Sequence, residues 1–173
     1  MADLITKRFA NFITFLNLVF GSTSIIYTMN KDYKLAAIFI LLAVVMDGLD
    51  GRVARRLQTS SDMGKELDSI CDIVSFGVAP AVLLYSQVLF NSFNYVGLAC
   101  ALIFIICGAY RLARFNVLDV SGYFVGVPIT IAGCLLALFS LLAAHLHPMV
   151  ILLILLGLSL LMISNVQFPG HKS

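Results

Sequence analysis

Residues 35–56 read LAAIFILLAVVMDGLDGRVARR: an unbroken apolar run as far as Met46, followed at once by a stretch carrying Asp47, Asp50, Arg52, Arg55 and Arg56. The first half has the composition of a helix in hydrocarbon, the second that of a helix leaving it. A charged side chain at the centre of a bilayer costs about 3 kcal/mol on insertion scales, and those that occur usually pair or carry function. The junction therefore reads as a membrane-spanning helix over residues 34–55 that delivers a charged end to one surface.

The rest of the chain extends this pattern. Its 173 residues are 61% hydrophobic and 12% charged, against ~45–50% and ~25% in soluble domains, and the mean hydropathy is +1.02. The composition predicts an all-α integral membrane protein made of a single domain, residues 1–173, and the formal net charge of +2 is too small for a nucleic-acid surface. Six apolar segments are expected, over roughly 9–29, 34–55, 65–90, 95–115, 123–145 and 148–164. Residues 73–90 and 123–144 carry no charge at all and are long enough to cross ~30 Å of hydrocarbon. The N-terminal segment has no small-residue cleavage site and reads as a retained first helix. Pro80 and Pro128 are expected to kink their helices, with neighbouring helices re-satisfying the backbone.

Six spans put both termini on one side. That side carries Lys7, Arg8, Arg52, Arg55, Arg56, Lys65, Arg111, Arg114 and Lys172, against Lys31 and Lys34 opposite. The asymmetry predicts a multi-pass protein of the cell membrane with cytoplasmic termini. All the acidic residues but Asp32 fall on the same side, which locates the chemistry at the cytoplasmic face. Cys71, Cys100, Cys107 and Cys134 lie within apolar stretches in no metal or redox spacing and read as small core residues.

Asp47 and Asp50 are three apart at the end of the second segment, and Asp68 and Asp72 four apart at the start of the third. Each spacing puts its pair on one helix face. Four carboxylates brought together repel unless a cation holds them ionised, and an all-oxygen set suits one or two hard ions, Mg²⁺ or Mn²⁺. An interfacial charge cluster with Arg52, Arg55, Arg56 and Lys65 is the plainer alternative. Gly51, Ala54 and Gly64 leave room for a ligand beside the carboxylates, and Arg55 offers a donor fork suited to phosphate. Gly48 either leaves room likewise or permits close helix packing; Ser60 and Ser61 either donate to a phosphate or cap a helix.

The arrangement Asp47-x-x-Asp50-Gly51-x-x-Ala54-Arg55, eight residues, then Gly64-x-x-x-Asp68-x-x-x-Asp72 resembles the motif of the CDP-alcohol phosphotransferase family, with every fixed position present. The resemblance implies a six-helix, commonly dimeric membrane enzyme that transfers a phosphatidyl or related group from a CDP-linked donor to an alcohol, releasing CMP. It assigns the metal ions to Asp47, Asp50, Asp68 and Asp72, the general base to Asp72, and contacts with the CDP donor to Gly51, Arg55 and Ser61. The stretch ANFITFLNL, residues 10–18, is similar to the family's N-terminal element through Asn11 and Thr14, with Ala10 where a proline is usual.

Further stretches, DIVSFGVAPA (72–81), CGAYRLARFNV (107–117), YFVGVPIT (123–130) and LMISNVQFP (161–169), are similar to the family's membrane-embedded branch that uses CDP-diacylglycerol and L-serine. Serine brings a carboxylate and an ammonium, for which Arg111, Arg114 and Asn116 are the candidates. Glycerol 3-phosphate or an inositol phosphate remains an alternative acceptor, although a second phosphate asks for more basic residues. A cation transporter is the alternative from another class, but its ion site is expected near the midplane with repeat symmetry, and no repeat is visible.

Overall fold

The computed structural model describes the backbone of residues 2–57, 62–117, 123–164 and 167–169, and the side chains of residues 12–49, 63–117 and 126–164. The chain is helical almost throughout, as a backbone in lipid must be to satisfy its own polar groups. Helix α1 spans Ala2–Met29 and α2 spans Tyr33–Leu57. Their connection is tight because Lys31 adopts a left-handed φ of 62°. Its N–H donates to the Thr28 carbonyl and that of Asp32 to the Tyr27 carbonyl, both at 3.0 Å, a Schellman closure of α1. Asp32 then begins α2, its Oδ1 accepting from the Leu35 N–H at 3.2 Å.

The third apolar segment is one winding run with two widened stretches. Helix α3, Asp62–Asp72, passes into a π-helical stretch at Ile73–Val78, then α4 at Ala79–Leu84, a second π-helical stretch at Tyr85–Leu89, and α5 at Phe90–Val117. The first widening ends beside Pro80, whose missing N–H interrupts the hydrogen-bond ladder. The run then reverses at Asn94, where φ 35° and ψ −104° break the helix within α5. The third and fourth expected segments therefore meet at this break rather than across a loop.

The fifth expected segment starts later than its apolar composition suggests. Residues 123–125 form a short strand, β1, Tyr123–Val125, paired antiparallel with β2, Gln167–Pro169. Pro128, with φ −56° and ψ 140°, caps α6, Ile129–Leu141, from outside. It thus starts a helix instead of kinking one, because its fixed φ suits the entry to a helix and its missing N–H is not needed there. Gly126 (φ 76°) turns the chain between β1 and α6, where a side chain would strike the Met162 carbonyl. The last helix, α7, Pro148–Ile163, opens with Pro148, and His147 Nδ1 accepts from the Met149 N–H at 3.3 Å.

Phe12–Met29 and Met63–Val117 are long and apolar enough to cross a membrane, and α6 and α7 are shorter apolar helices. Large apolar side chains such as Val19, Ile26, Ile106 and Leu160 are exposed on their outer faces, as lipid-facing residues are. Inside, Phe76, Phe104, Ile129, Leu136, Ile151 and Leu155 are fully buried. Gly133 lets α6 lie against the first widened stretch: a Cβ there would come within 2.7 Å of the Phe76 carbonyl oxygen. Small residues at such crossings are how membrane helices gain dispersion contacts in the absence of a hydrophobic force between them. Ser140 Oγ donates to Gln87 Oε1 at 2.6 Å, and Gln87 Nε2 donates to the Ser140 carbonyl at 3.1 Å, a polar clasp between α6 and the second widened stretch. Cys71, Cys100 and Cys107 are buried and Cys134 is half-buried.

Candidate active site

Helix α1 is the platform of the site, packing along α2 on one side and against α3 and the widened turn after it on the other. Asp47, near the end of α2, and Asp68 and Asp72, in the last turns of α3, meet over it. One carboxylate oxygen from each lies within 4.8 Å of the others, with Asp47 and Asp68 half-buried and Asp72 only 7% exposed. Oxygens on opposite sides of a hard cation are separated by ~4–5 Å, so the three carboxylates fit a divalent ion by donor type and spacing. Without a cation they repel one another, and Asp72 faces both of the others.

Asp72 has two further neighbours. Asn17, 1% exposed on α1, donates from Nδ2 to Asp72 Oδ1 at 3.3 Å. Arg111, on α5, lies within electrostatic reach of Asp72. Its guanidinium carbon sits 5.7 Å from the centre of the Phe115 ring, and its buried Nε has no hydrogen-bond partner among the described residues.

The other two candidates on α5 are occupied within the protein. Arg114 donates from a guanidinium nitrogen to the Ile163 carbonyl at 3.4 Å, tying α5 to the end of α7. Asn116 Nδ2 donates to Ser69 Oγ at 3.0 Å and to Glu66 Oε1 at 3.5 Å, tying α5 to α3. Thr14 is buried on α1, and Gly64 lies in the first turns of α3. Asp50, Gly51, Ala54 and Arg55 belong to the last turns of α2, and Asn11 to α1. The surroundings of these five residues lie outside the described residues, as does Ser61 altogether.

Asn17 was missed by motif reading. Its signal is a polar amide inside the apolar run FITFLNLVFG, residues 12–21, on the same helix as Thr14. By itself such an amide reads equally as helix-packing glue.

The chain is thus helical and apolar, with Asp47, Asp68 and Asp72 gathered in one cluster. The CDP-alcohol phosphatidyltransferase family model matches residues 7–163, and the chain belongs to that family. It is 44% identical to the CDP-diacylglycerol–serine O-phosphatidyltransferase of Methanocaldococcus jannaschii, an alignment covering 95% of this chain and 75% of the relative. It is 38% identical to the enzyme of the same name in Bacillus subtilis, over 92% of this chain and 89% of the relative. An archaetidylserine synthase of Methanothermobacter thermautotrophicus is 37% identical, over 91% and 67%.

Proposed function

We propose that this chain transfers the phosphatidyl group of CDP-diacylglycerol to the hydroxyl of L-serine, yielding phosphatidylserine and CMP. The observation that carries the reading is the convergence of Asp47, Asp68 and Asp72 at one point, in a family whose named relatives act on serine. Asp47, Asp50, Asp68 and Asp72 hold divalent ions, Mg²⁺ or Mn²⁺. When bound, these supply Lewis-acid neutralisation of the donor's pyrophosphate and of the departing CMP.

The chain's own residues do the rest. Gly51 and Ala54 let the nucleotide approach the end of α2, where Arg55 binds phosphate oxygens; Asn11, Thr14, Ser61 and Gly64 line the same donor site. The serine hydroxyl oxygen bonds to the β-phosphorus while the bond from that phosphorus to the bridging oxygen breaks, leaving CMP. Asp72 accepts the hydroxyl proton, a role typically contributing ~10²–10⁴-fold. Arg111 receives the serine carboxylate. Its buried Nε, without a hydrogen-bond partner among the described residues, and its electrostatic reach to Asp72 support this role, whereas Arg114 and Asn116 already hold neighbouring helices.

The reading includes a six-span topology with both termini and the site at the cytoplasmic face, in a homodimer. Nine Lys and Arg residues against two support the orientation. The donor's acyl chains then stay in lipid while its headgroup reaches the aspartates. A cysteine introduced by Asp32→Cys should react with an impermeant thiol reagent from outside intact cells, and labelling only after lysis would refute the topology.

The deciding experiment incubates the purified protein with CDP-diacylglycerol, Mn²⁺ or Mg²⁺ and a panel of alcohols, and follows CMP release. Serine-dependent release supports the reading, release only with glycerol 3-phosphate or an inositol phosphate replaces the acceptor, and no release with any alcohol overturns it. Asp72→Asn should abolish turnover with the fold intact; full activity in that variant would remove the base assignment.

A further inference from the structure

We infer that Asn17 is a positioning residue for the site, holding the Asp72 carboxylate in the orientation that completes the aspartate cluster; this rests on the metal role proposed above. Three observations converge on it. Its Nδ2 donates to Asp72 Oδ1, and its own Oδ1 is buried without a hydrogen-bond partner among the described residues. A buried acceptor left unpaired is destabilising, so the amide is held at a loss on its acceptor side. What it provides is the donor side, which goes to Asp72.

The third observation is how firmly that donor is placed. Ser75 Oγ, one turn beyond Asp72, donates to the Asn17 main-chain carbonyl at 3.1 Å. Gly21, one turn beyond Asn17, lies directly on Ser75: a Cβ there would collide with Ser75 Oγ and stand 2.7 Å from its Cα. Two consecutive turns of α1, at Asn17 and at Gly21, are thereby held against Ser75 in the widened stretch that follows Asp72. The amide can present only one donor edge to a carboxylate, since its oxygen would face like charge. Asp72, otherwise pushed away by Asp47 and Asp68, is pinned through one oxygen, and its remaining lone pairs are left to the cluster.

The test uses the full chain in detergent and two variants, Asn17→Leu and Asn17→Ala. Leucine matches the branched shape of asparagine and removes the unpaired acceptor, while alanine leaves space, so their packing effects differ in sign. Mn²⁺ binding is titrated by electron paramagnetic resonance without lipid or serine; serine-dependent CMP release and thermal unfolding are measured alongside. Loss of a group that orients a metal-ligating side chain typically costs about 10–100-fold. Both variants should lose that much in Mn²⁺ affinity and in kcat, with KM for serine within threefold of the parent, whichever way their melting temperatures move. Mn²⁺ affinity and kcat within twofold of the parent in either variant overturn the inference. So do losses that track the melting temperature across the pair, because Asn17 is then a packing residue only. A parent chain that binds no Mn²⁺ overturns it together with the metal role. A parent that binds Mn²⁺ but releases no CMP with serine defeats the proposed reaction alone, and Asn17 is then judged on Mn²⁺ affinity.

Discussion

Gly21→Ala tests whether the site depends on the closeness of α1 to the turn after Asp72. The added methyl would stand 2.7 Å from Ser75 Cα and Cβ, and ordinary contact begins at 3.4 Å, so the two helices must part by about 0.7 Å. One turn earlier on α1, the Asn17 amide reaches Asp72 at 3.3 Å, and the same displacement takes that separation to about 4 Å, beyond the ~3.6 Å at which a side-chain contact ceases to be a hydrogen bond. Overpacking of this kind costs about 1–3 kcal/mol, and loss of the orienting contact should lower serine-dependent CMP release by about tenfold or more. Thermal unfolding in detergent and CMP release at saturating serine measure the two effects separately. Adding Ser75→Gly removes two of the three colliding atoms, Oγ and Cβ, so the double variant should recover part of the loss, a non-additivity expected of residues in contact. A Gly21→Ala chain that melts and turns over like the parent would refute the close approach and the reasoning built on it.

Other outcomes follow from the same geometry. Arg111→Ala should raise KM for serine by about 30-fold, the equivalent of about 2 kcal/mol for a hydrogen bond to a charged group, while KM for CDP-diacylglycerol changes less than threefold. Arg114→Ala removes a bond to the Ile163 carbonyl, so it should cost about 1 kcal/mol of stability, seen in denaturant titration, with KM for serine unchanged. Gly133→Ala drives a methyl to within 2.7 Å of the Phe76 carbonyl oxygen and should lower the melting temperature through an overpacking cost of about 1–3 kcal/mol. Chelation should abolish CMP release and added Mn²⁺ or Mg²⁺ restore it, as measured on one sample taken through both steps.

Much of the framework is legible in the sequence because its causes are local. The apolar runs mark α2, α7 and the end of α1 closely, since hydrocarbon demands continuous helix, whereas α1 begins at Ala2, seven residues before its apolar run. The aspartates could be paired by helical spacing, and Asp47, Asp68 and Asp72 do meet. What could not be read depends on contacts between distant elements. Arg111 and Arg114 differ only in which neighbour each reaches, Asp72 or the end of α7, and their positions three apart on one helix carry no sign of it. Asn17 matters through the register of α1 against α3, which no periodicity within α1 reveals. The apolar stretch from Tyr123 hides a strand because pairing with Gln167–Pro169 is non-local, and only Pro128 hints that the helix begins later.

The π-helical stretch at Ile73–Val78 begins at the residue after Asp72. A widened turn of this kind holds one more residue than an α-helical turn, so it sets the rotational phase of everything beyond it independently of the aspartates before it. The run therefore changes phase between the aspartates of α3 and the apolar helix beyond them. The aspartate side meets α1 through Asn17, and the far side follows Pro80 and the packing of α6. Ser75 and Phe76 within the stretch are met closely by Gly21 of α1 and Gly133 of α6, so the widened turn also fixes how those two helices lie against the run that carries Asp72.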